Sequence, residues 1–270
     1  MFKRERLLEI IFLGTGTSHG VPPLDCVIND YALCPKDVCR KSLNDPRHRR
    51  TRTSILVKKN GKTLLADVSS DFREQALRHG IKEIDAVIIS HGHIDHFGGL
   101  PDIRSYTWRK PLTVYASSET LANVRCVFSY MFDSGVECGG GIPHLRMKEL
   151  KDTSEIAGFT VKPIPVTHGK LKGCLGFRID DTAYVPDVKH IDPENEKLLE
   201  GLDCLVLNCL RENPGHSTHL FLSESVSLAR RLAPKRCYFI HMNHEIDYIA
   251  DGKELDSWME FSYDGLIIKV

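Results

Sequence analysis

Short apolar runs rich in β-branched residues recur along the chain, each followed by glycine, asparagine, aspartate or histidine, which predicts buried strands closed by turns. Leu7 to Leu13 is the first, and Gly14-Thr15-Gly16-Thr17-Ser18-His19-Gly20 is a tight turn after it. Ser54 to Lys59 and Thr63 to Val68 flank Asn60-Gly61, whose residues favour the positive φ of a two-residue hairpin. Asp71 to His79 reads as a helix stopped by Gly80. Ala86 to Ile89 is again a strand, followed by a helix through about Tyr106, a strand over Leu112 to Ala116 and a helix over 119–133. Farther on, Phe159 to Thr167 is extended, and its Pro163 and Pro165 suit an edge or irregular strand. Cys174 to Ile179 and Ala183 to Val185 form a hairpin about Asp180-Asp181. Leu205 to Leu207, a helix from Ser223 to Leu232 and Cys237 to Ile240 make a second β-α-β series. Strands alternating with helices predict an α/β protein with mixed sheet covered by helices.

Four of these runs close on a residue of metal-ligand type: His91, His168, Asp187 and His241. The densest stretch is Ser90-His91-Gly92-His93-Ile94-Asp95-His96-Phe97-Gly98-Gly99-Leu100, which leaves the C-terminal end of a strand, where open α/β sheets place their chemistry. Three imidazoles and a carboxylate so close together suit zinc, manganese or iron. Jointly, the four strand ends read as one site fed from two halves of a sandwich.

Other stretches leave alternatives open. The turn 14–20 either cradles phosphate with backbone N–H groups or is only structural, since it lacks the lysine ending of a P-loop. Residues 21–50 read as an irregular loop bearing Cys26, Cys34 and Cys39, and they lead into the basic run Arg47-His48-Arg49-Arg50-Thr51-Arg52. That run is expected to be a solvated face, with phosphate contact as the lesser alternative. Cys138-Gly139-Gly140-Gly141-Ile142-Pro143 is either a lid or a connector.

Composition narrows the partners. The 270 residues are 41% hydrophobic, enough for a sizeable core, and a single domain over 1–270 is expected. Lys+Arg and Asp+Glu balance at 36 each, so no global field draws the chain to large nucleic acids or to membranes. No apolar run approaches a membrane span, and Met1 to Arg6 lacks a signal-peptide pattern, which points to the cytoplasm. Nine cysteines is an odd number, and Cys174, Cys204, Cys209 and Cys237 sit inside apolar runs, so buried thiols are expected in place of a disulfide framework.

His91-Gly92-His93-Ile94-Asp95-His96, followed in order by His168, Asp187 and His241, resembles the signature of the metallo-β-lactamase superfamily. The resemblance covers about Leu7 to Ile268 and implies an αββα sandwich, two mixed sheets between helical layers. It also implies two divalent ions, zinc or manganese, one held by His91, His93 and His168, the other by Asp95, His96 and His241, with Asp187 between them. A narrower likeness is to the branch containing phosphoribosyl 1,2-cyclic phosphate phosphodiesterases, carried by Gly-Thr-Gly-Thr-Ser, the early cysteines, the late His-x-x-His and Tyr263-Asp264-Gly265-Leu266. It implies a further, structural zinc on Cys26, Cys34, Cys39 and His244, although the cysteines here spread over 14 positions where the branch packs them closely.

The reaction so implied is hydrolysis of a small, cyclic phosphodiester by a hydroxide shared between the two ions. The candidate catalytic groups are Asp95, His216 and His219; the resemblance favours His219 over His216 as proton donor to the leaving alkoxide. Ser217 or Thr218 is a candidate donor to a phosphate oxygen. The shared metal motif also fits thioesterases and lactonases, a 3′-tRNA-processing nuclease, or a non-catalytic metal-binding protein. The nuclease is disfavoured because its gripping arm is missing from the short span between His168 and Asp187. Whether the chain forms a homodimer stays open.

Overall fold

The apolar runs pair into two seven-stranded sheets, which the computed structural model describes over residues 7–133, 135, 141–213 and 215–270. The first sheet holds β1 (Glu9–Gly14), β2 (Ser54–Lys59), β3 (Lys62–Ala66), β4 (Ala86–Ile88), β5 (Leu112–Ala116), β6 (Leu145–Glu149) and β14 (Ile267–Lys269), in the order β14-β1-β2-β3-β4-β5-β6. The second holds β7 (Ser154–Ile156), β8 (Phe159–Pro165), β9 (Leu175–Ile179), β10 (Thr182–Val185), β11 (Cys204–Asn208), β12 (Arg236–Ile240) and β13 (Met259–Phe261), in the order β13-β12-β11-β10-β9-β8-β7. Each sheet is antiparallel on one side and parallel on the other, with the change at β3 in the first and at β10 in the second. The two halves repeat one plan, and the αββα expectation holds.

Alternation along the strands sends one set of side chains inward and the other outward. Phe12, Val57, Leu64 and Ile88 from the first sheet meet Phe177, Tyr184, Val206 and Tyr238 from the second in a shared core. The outer face of the first sheet is covered by α3 (Phe72–His79) and α5 (Ser118–Val127), through Phe72, Leu121 and Val124. The outer face of the second is covered by α7 (Leu222–Leu232), through Leu228 and Ala229. Each fully buried large apolar side chain contributes about 1.5–3 kcal/mol, so the middle layer fixes how the strand ends of one sheet face those of the other.

Most predicted elements fall within two residues of those observed. The Asn60-Gly61 turn has both residues at positive φ, 52° and 74°, as its hairpin requires. Four expectations need correction. The segment 21–50 is not wholly irregular: it contains α1 (Leu24–Ile28), α2 (Val38–Lys41) and a 3-10 turn at Pro46–His48. After the histidine cluster there is no long helix, because Gly98, Gly99 and Pro101 interrupt it; α4 (Ile94–Phe97) is followed by a 3-10 stretch, Leu100–Tyr106. The helix over 119–133 ends at Val127 and continues as a 3-10 turn, Ser129–Met131. β8 is an edge only over its second half: β7 pairs with Phe159–Val161, while Pro163 and Pro165 lie beyond that pairing with β9 on one side only, so that no N–H is needed on the other. The remaining short helix, α6 (Pro193–Glu196), precedes β11.

Residues 138–140 of the glycine-rich stretch lie outside the described residues. Cys174, Cys204, Cys209 and Cys237 are free and buried, as expected. No helix among the described residues is long and apolar enough to cross a membrane.

Candidate metal centres

The C-terminal ends of β4 in one sheet and of β8, β10 and β12 in the other open onto the same cavity. His91 and His93 leave β4, with Asp95 and His96 on α4 just beyond; His168 follows β8, Asp187 follows β10 and His241 follows β12. Ligand atoms of His91, His93, His168 and Asp187 lie within 4.8 Å of one another, and so do those of Asp95, His96 and His241. The seven positions singled out from sequence therefore meet in one neighbourhood.

Asp187 stands between the two groups. Its Oδ2 is 3.4 Å from His91 Nε2, 3.6 Å from His96 Nε2 and 3.7 Å from His168 Nε2, while its Oδ1 is 3.1 Å from His241 Nε2. These contacts are close yet not aligned for hydrogen bonding: His96 Nε2, Asp187 Oδ1 and both ring nitrogens of His241 are buried without a hydrogen-bond partner. Buried polar atoms left unpaired are costly. Converging lone pairs from nitrogen and carboxylate oxygen are what a divalent cation satisfies, so the donor set fits metal.

Outside this ring, the protein fixes which nitrogen faces inward. His96 Nδ1 donates to Asp67 Oδ2 at 2.7 Å, His168 Nδ1 donates to the Thr218 carbonyl at 2.8 Å, and His91 Nδ1 lies 3.0 Å from Ser90 Oγ. Each leaves its Nε2 to the cavity, the arrangement in which a second partner orients a ligating imidazole. Burial and the neighbouring imidazoles His96, His168 and His93 push His91 well down. His96 goes the other way: burial lowers it, but Asp187, Asp67 and Asp95 outweigh burial and raise it well above the usual imidazole range. Burial opposes ionisation of Asp95, yet His96 and His241 hold it below the usual carboxylate range.

Asp67 escaped sequence analysis. It closes β3 as Asp187 closes β10, so the signal was the same strand-end carboxylate, without a nearby histidine in sequence to mark it.

The cavity, of about 240 Å³, is lined by His93, Asp95, His168, Asp187 and His241 together with Ser18, Lys170, Leu171, Thr218 and His219. His219 is part of its wall: the ring lies 4.6 Å from His168 and 4.9 Å from His241, centroid to centroid, and its Nδ1 is 4.0 Å from Asp187 Oδ2. Burial, then His241 and His168, push its pKa down. His216 does not line the cavity; its Nδ1 accepts from the Thr218 hydroxyl at 3.0 Å, which occupies that hydroxyl as well. Ser217 is not in the wall either.

The turn 14–20 is structural in its first half. Thr15 N donates to Asp264, Gly16 N to the Thr51 carbonyl and Thr17 N to the Met242 carbonyl, so these donors are not available to a phosphate. The basic run is only partly a solvated face: Arg47 and Arg49 are exposed, whereas His48, Arg50 and Thr51 are buried and Arg52 pairs with Asp71.

A second cluster lies on the far side of the loop after β12. The ligand atoms of Cys26, Cys34, Cys39 and His244 are within 4.8 Å of one another. Cys26 Sγ and Cys39 Sγ are 3.0 and 3.4 Å from His244 Nδ1. α1 and α2 fold the spread-out cysteines together, and three thiols with one imidazole fit a closed tetrahedral zinc site.

Comparisons with known proteins agree with this geometry. The profile of the beta-lactamase superfamily domain matches residues 62–242. A crystal structure of a diphosphatase from the PhnP family superposes with a TM-score of 0.85 at 34% identity, covering 97% of this chain and 98% of that one. The zinc-bound PqqB of Methylobacterium extorquens has the same fold, with a TM-score of 0.76 at 21% identity over 97% of this chain and 100% of that one. An octanoyltransferase of Porphyromonas gingivalis is 34% identical over 264 residues, 96% of this chain and 51% of that protein. The chain thus spans about half the length of that relative.

Proposed function

The chain belongs to the beta-lactamase superfamily and has its metallo-hydrolase fold, and from that premise we propose that it is a binuclear metal-dependent phosphodiesterase acting on a small, cyclic phosphodiester. In this reading His91, His93 and His168 hold one divalent ion, zinc or manganese, and Asp95, His96 and His241 hold the other. The observation that carries it is the position of Asp187 between the two groups, with Oδ2 beside His91, His168 and His96 and Oδ1 beside His241. A third, structural zinc belongs to Cys26, Cys34, Cys39 and His244.

A bound pair of divalent ions supplies Lewis-acid neutralisation of the phosphate charge and makes water acidic enough to serve as a nucleophile near neutral pH. The chain's own groups do the rest. Ser90, Asp67 and the Thr218 carbonyl keep three imidazoles in the tautomer that turns Nε2 inward. A cavity of about 240 Å³ suits a small substrate. His219 gives a proton to the departing alkoxide. In the cavity as it stands that ring is neutral; the negative charge of a substrate phosphate facing it favours the protonated form, as any adjacent anion does.

The diphosphatase relative supports phosphate chemistry over thioester or lactone hydrolysis. The name octanoyltransferase belongs to a protein about twice as long and is not carried to this chain. The test is turnover of bis-p-nitrophenyl phosphate by metal-loaded protein: the expected result is metal-dependent hydrolysis abolished by His93→Ala. Activity on thioesters or lactones alone contradicts the reading.

A further inference from the structure

Arg50 takes no part in the chemistry above, yet it is 1% exposed and among the largest side chains fully buried in the molecule. A guanidinium out of water costs several kcal/mol, on the order of the penalty for any buried ion, unless charge and hydrogen bonds offset it. Among the described residues no carboxylate is in ion-pair contact with it. The acidic groups whose charge it feels, Asp264 and Asp247, are engaged elsewhere: Asp264 by Thr15, Thr51 and Arg78, Asp247 by Lys41 and His48. Arg50 instead donates from Nη1 to the Asn243 carbonyl at 2.7 Å and from Nη2 to the Ile246 carbonyl at 2.9 Å.

Those two carbonyls bracket His244. Three residues before His244 stands His241, held at φ +64°, a left-handed conformation that a non-glycine residue keeps only where the surroundings enforce it. The enforcement is visible: Met242 N donates to the Thr15 carbonyl, Thr17 N to the Met242 carbonyl, Asn243 N to the Leu210 carbonyl, and Arg50 grips the carbonyl that follows. Gly16 lets the turn 14–20 lie directly on Arg50, since a Cβ there would sit 2.9 Å from Arg50 Cβ. Charge points the same way. A dication with three thiolates leaves one net negative charge, which a guanidinium anchored to the carbonyls on either side of His244 offsets.

We infer that Arg50 is a positioning residue for both centres at once: its forked guanidinium fixes the turn 243–246, so that His241 is held in the active-site cavity and His244 against the cysteine cluster. The inference rests on the reading that both clusters hold metal. It makes the cysteine cluster and the active site parts of one rigid assembly, with Arg50 as their common support and counter-charge.

Arg50→Lys and Arg50→Met, titrated with cobalt beside the wild type, test this. Thiolate-to-cobalt charge-transfer absorption reports the cysteine cluster, and the visible bands of histidine-bound cobalt report the other. Lysine keeps the charge as a compact point donor but cannot span two carbonyls. Arg50→Lys is therefore expected to fold and to bind cobalt about 10- to 100-fold more weakly at both the cysteine cluster and the His241 group, the range seen when a ligand's supporting partner is removed. Arg50→Met is expected to be weaker still at the cysteine cluster. Wild-type affinity at either centre in Arg50→Lys overturns the inference, however far the melting temperature falls, and it decides the matter if Arg50→Met does not fold. A wild type that takes up no cobalt overturns the metal reading itself, which separates that failure from one confined to Arg50.

Discussion

Asp67 Oδ2 lies 2.7 Å from His96 Nδ1, and neither side chain is reached by solvent. The same carboxylate accepts from Ser90 N at 2.7 Å, Ser90 Oγ at 2.9 Å and the Tyr184 hydroxyl at 2.8 Å. Burial and the charge of Asp67 push the Tyr184 hydroxyl well up, so it remains a donor. Four donors therefore converge on one carboxylate from three parts of the chain, and the ring it supports has a single orientation, with Nε2 toward Asp187.

Asp67→Asn keeps the shape and removes the charge. Metal affinity at the group Asp95, His96 and His241 is expected to fall about 10- to 100-fold, measured by chelator competition, while the group holding His168 changes less. Unchanged affinity at the first group would show that His96 needs no such support.

His219→Ala is expected to slow hydrolysis of a diester with a poor leaving group by about 10²–10⁴-fold, the usual worth of general acid catalysis. An activated aryl diester, whose leaving group needs no proton, should lose far less, and metal content should stay constant. Equal losses on the two substrates would remove His219 from the role of acid. His216→Ala should leave both rates close to wild type.

Asp187→Ala removes the only carboxylate turned toward both groups of histidines among the described residues. Elemental analysis should then find at least one active-site metal per chain missing. A variant that keeps both would refute bridging.

The cysteine cluster should respond to pH with a definite sign. Burial and hydrogen bonds with Cys26 and Cys34 push the Cys39 thiol well up, and burial raises Cys26 too. Metal-free Cys26 and Cys39 are thus protonated at neutral pH, zinc uptake must expel their protons, and retention weakens as pH falls. Cys39→Ser should lose one zinc per chain and melt at a lower temperature. Calorimetry in buffers of different ionisation enthalpy measures the protons released; none released would contradict the thiol state.

The ligand positions were legible because each closes a run of β-branched residues, and strand ends converge at the edge of a sheet. His91, His168, Asp187 and His241 could be named without coordinates for that reason. Asp67 could not, because its role depends on a 2.7 Å approach to a residue 29 positions away. The basic run was legible only in part: Arg47 and Arg49 face solvent, as arginines usually do, whereas Arg50 points inward to carbonyls 193 and 196 positions away. Strands β6 and β7 were invisible for another reason: β6 carries Arg146, Lys148 and Glu149, and β7 is only three residues long. Neither presents the apolar alternation that marks a strand before its partners are known.

The most direct measurement is anomalous diffraction from crystals grown with zinc. Two peaks about 3.5–4 Å apart are expected in the cavity, one among His91, His93 and His168, the other among Asp95, His96 and His241, with the Asp187 carboxylate between them. A single peak there, or none, would contradict it.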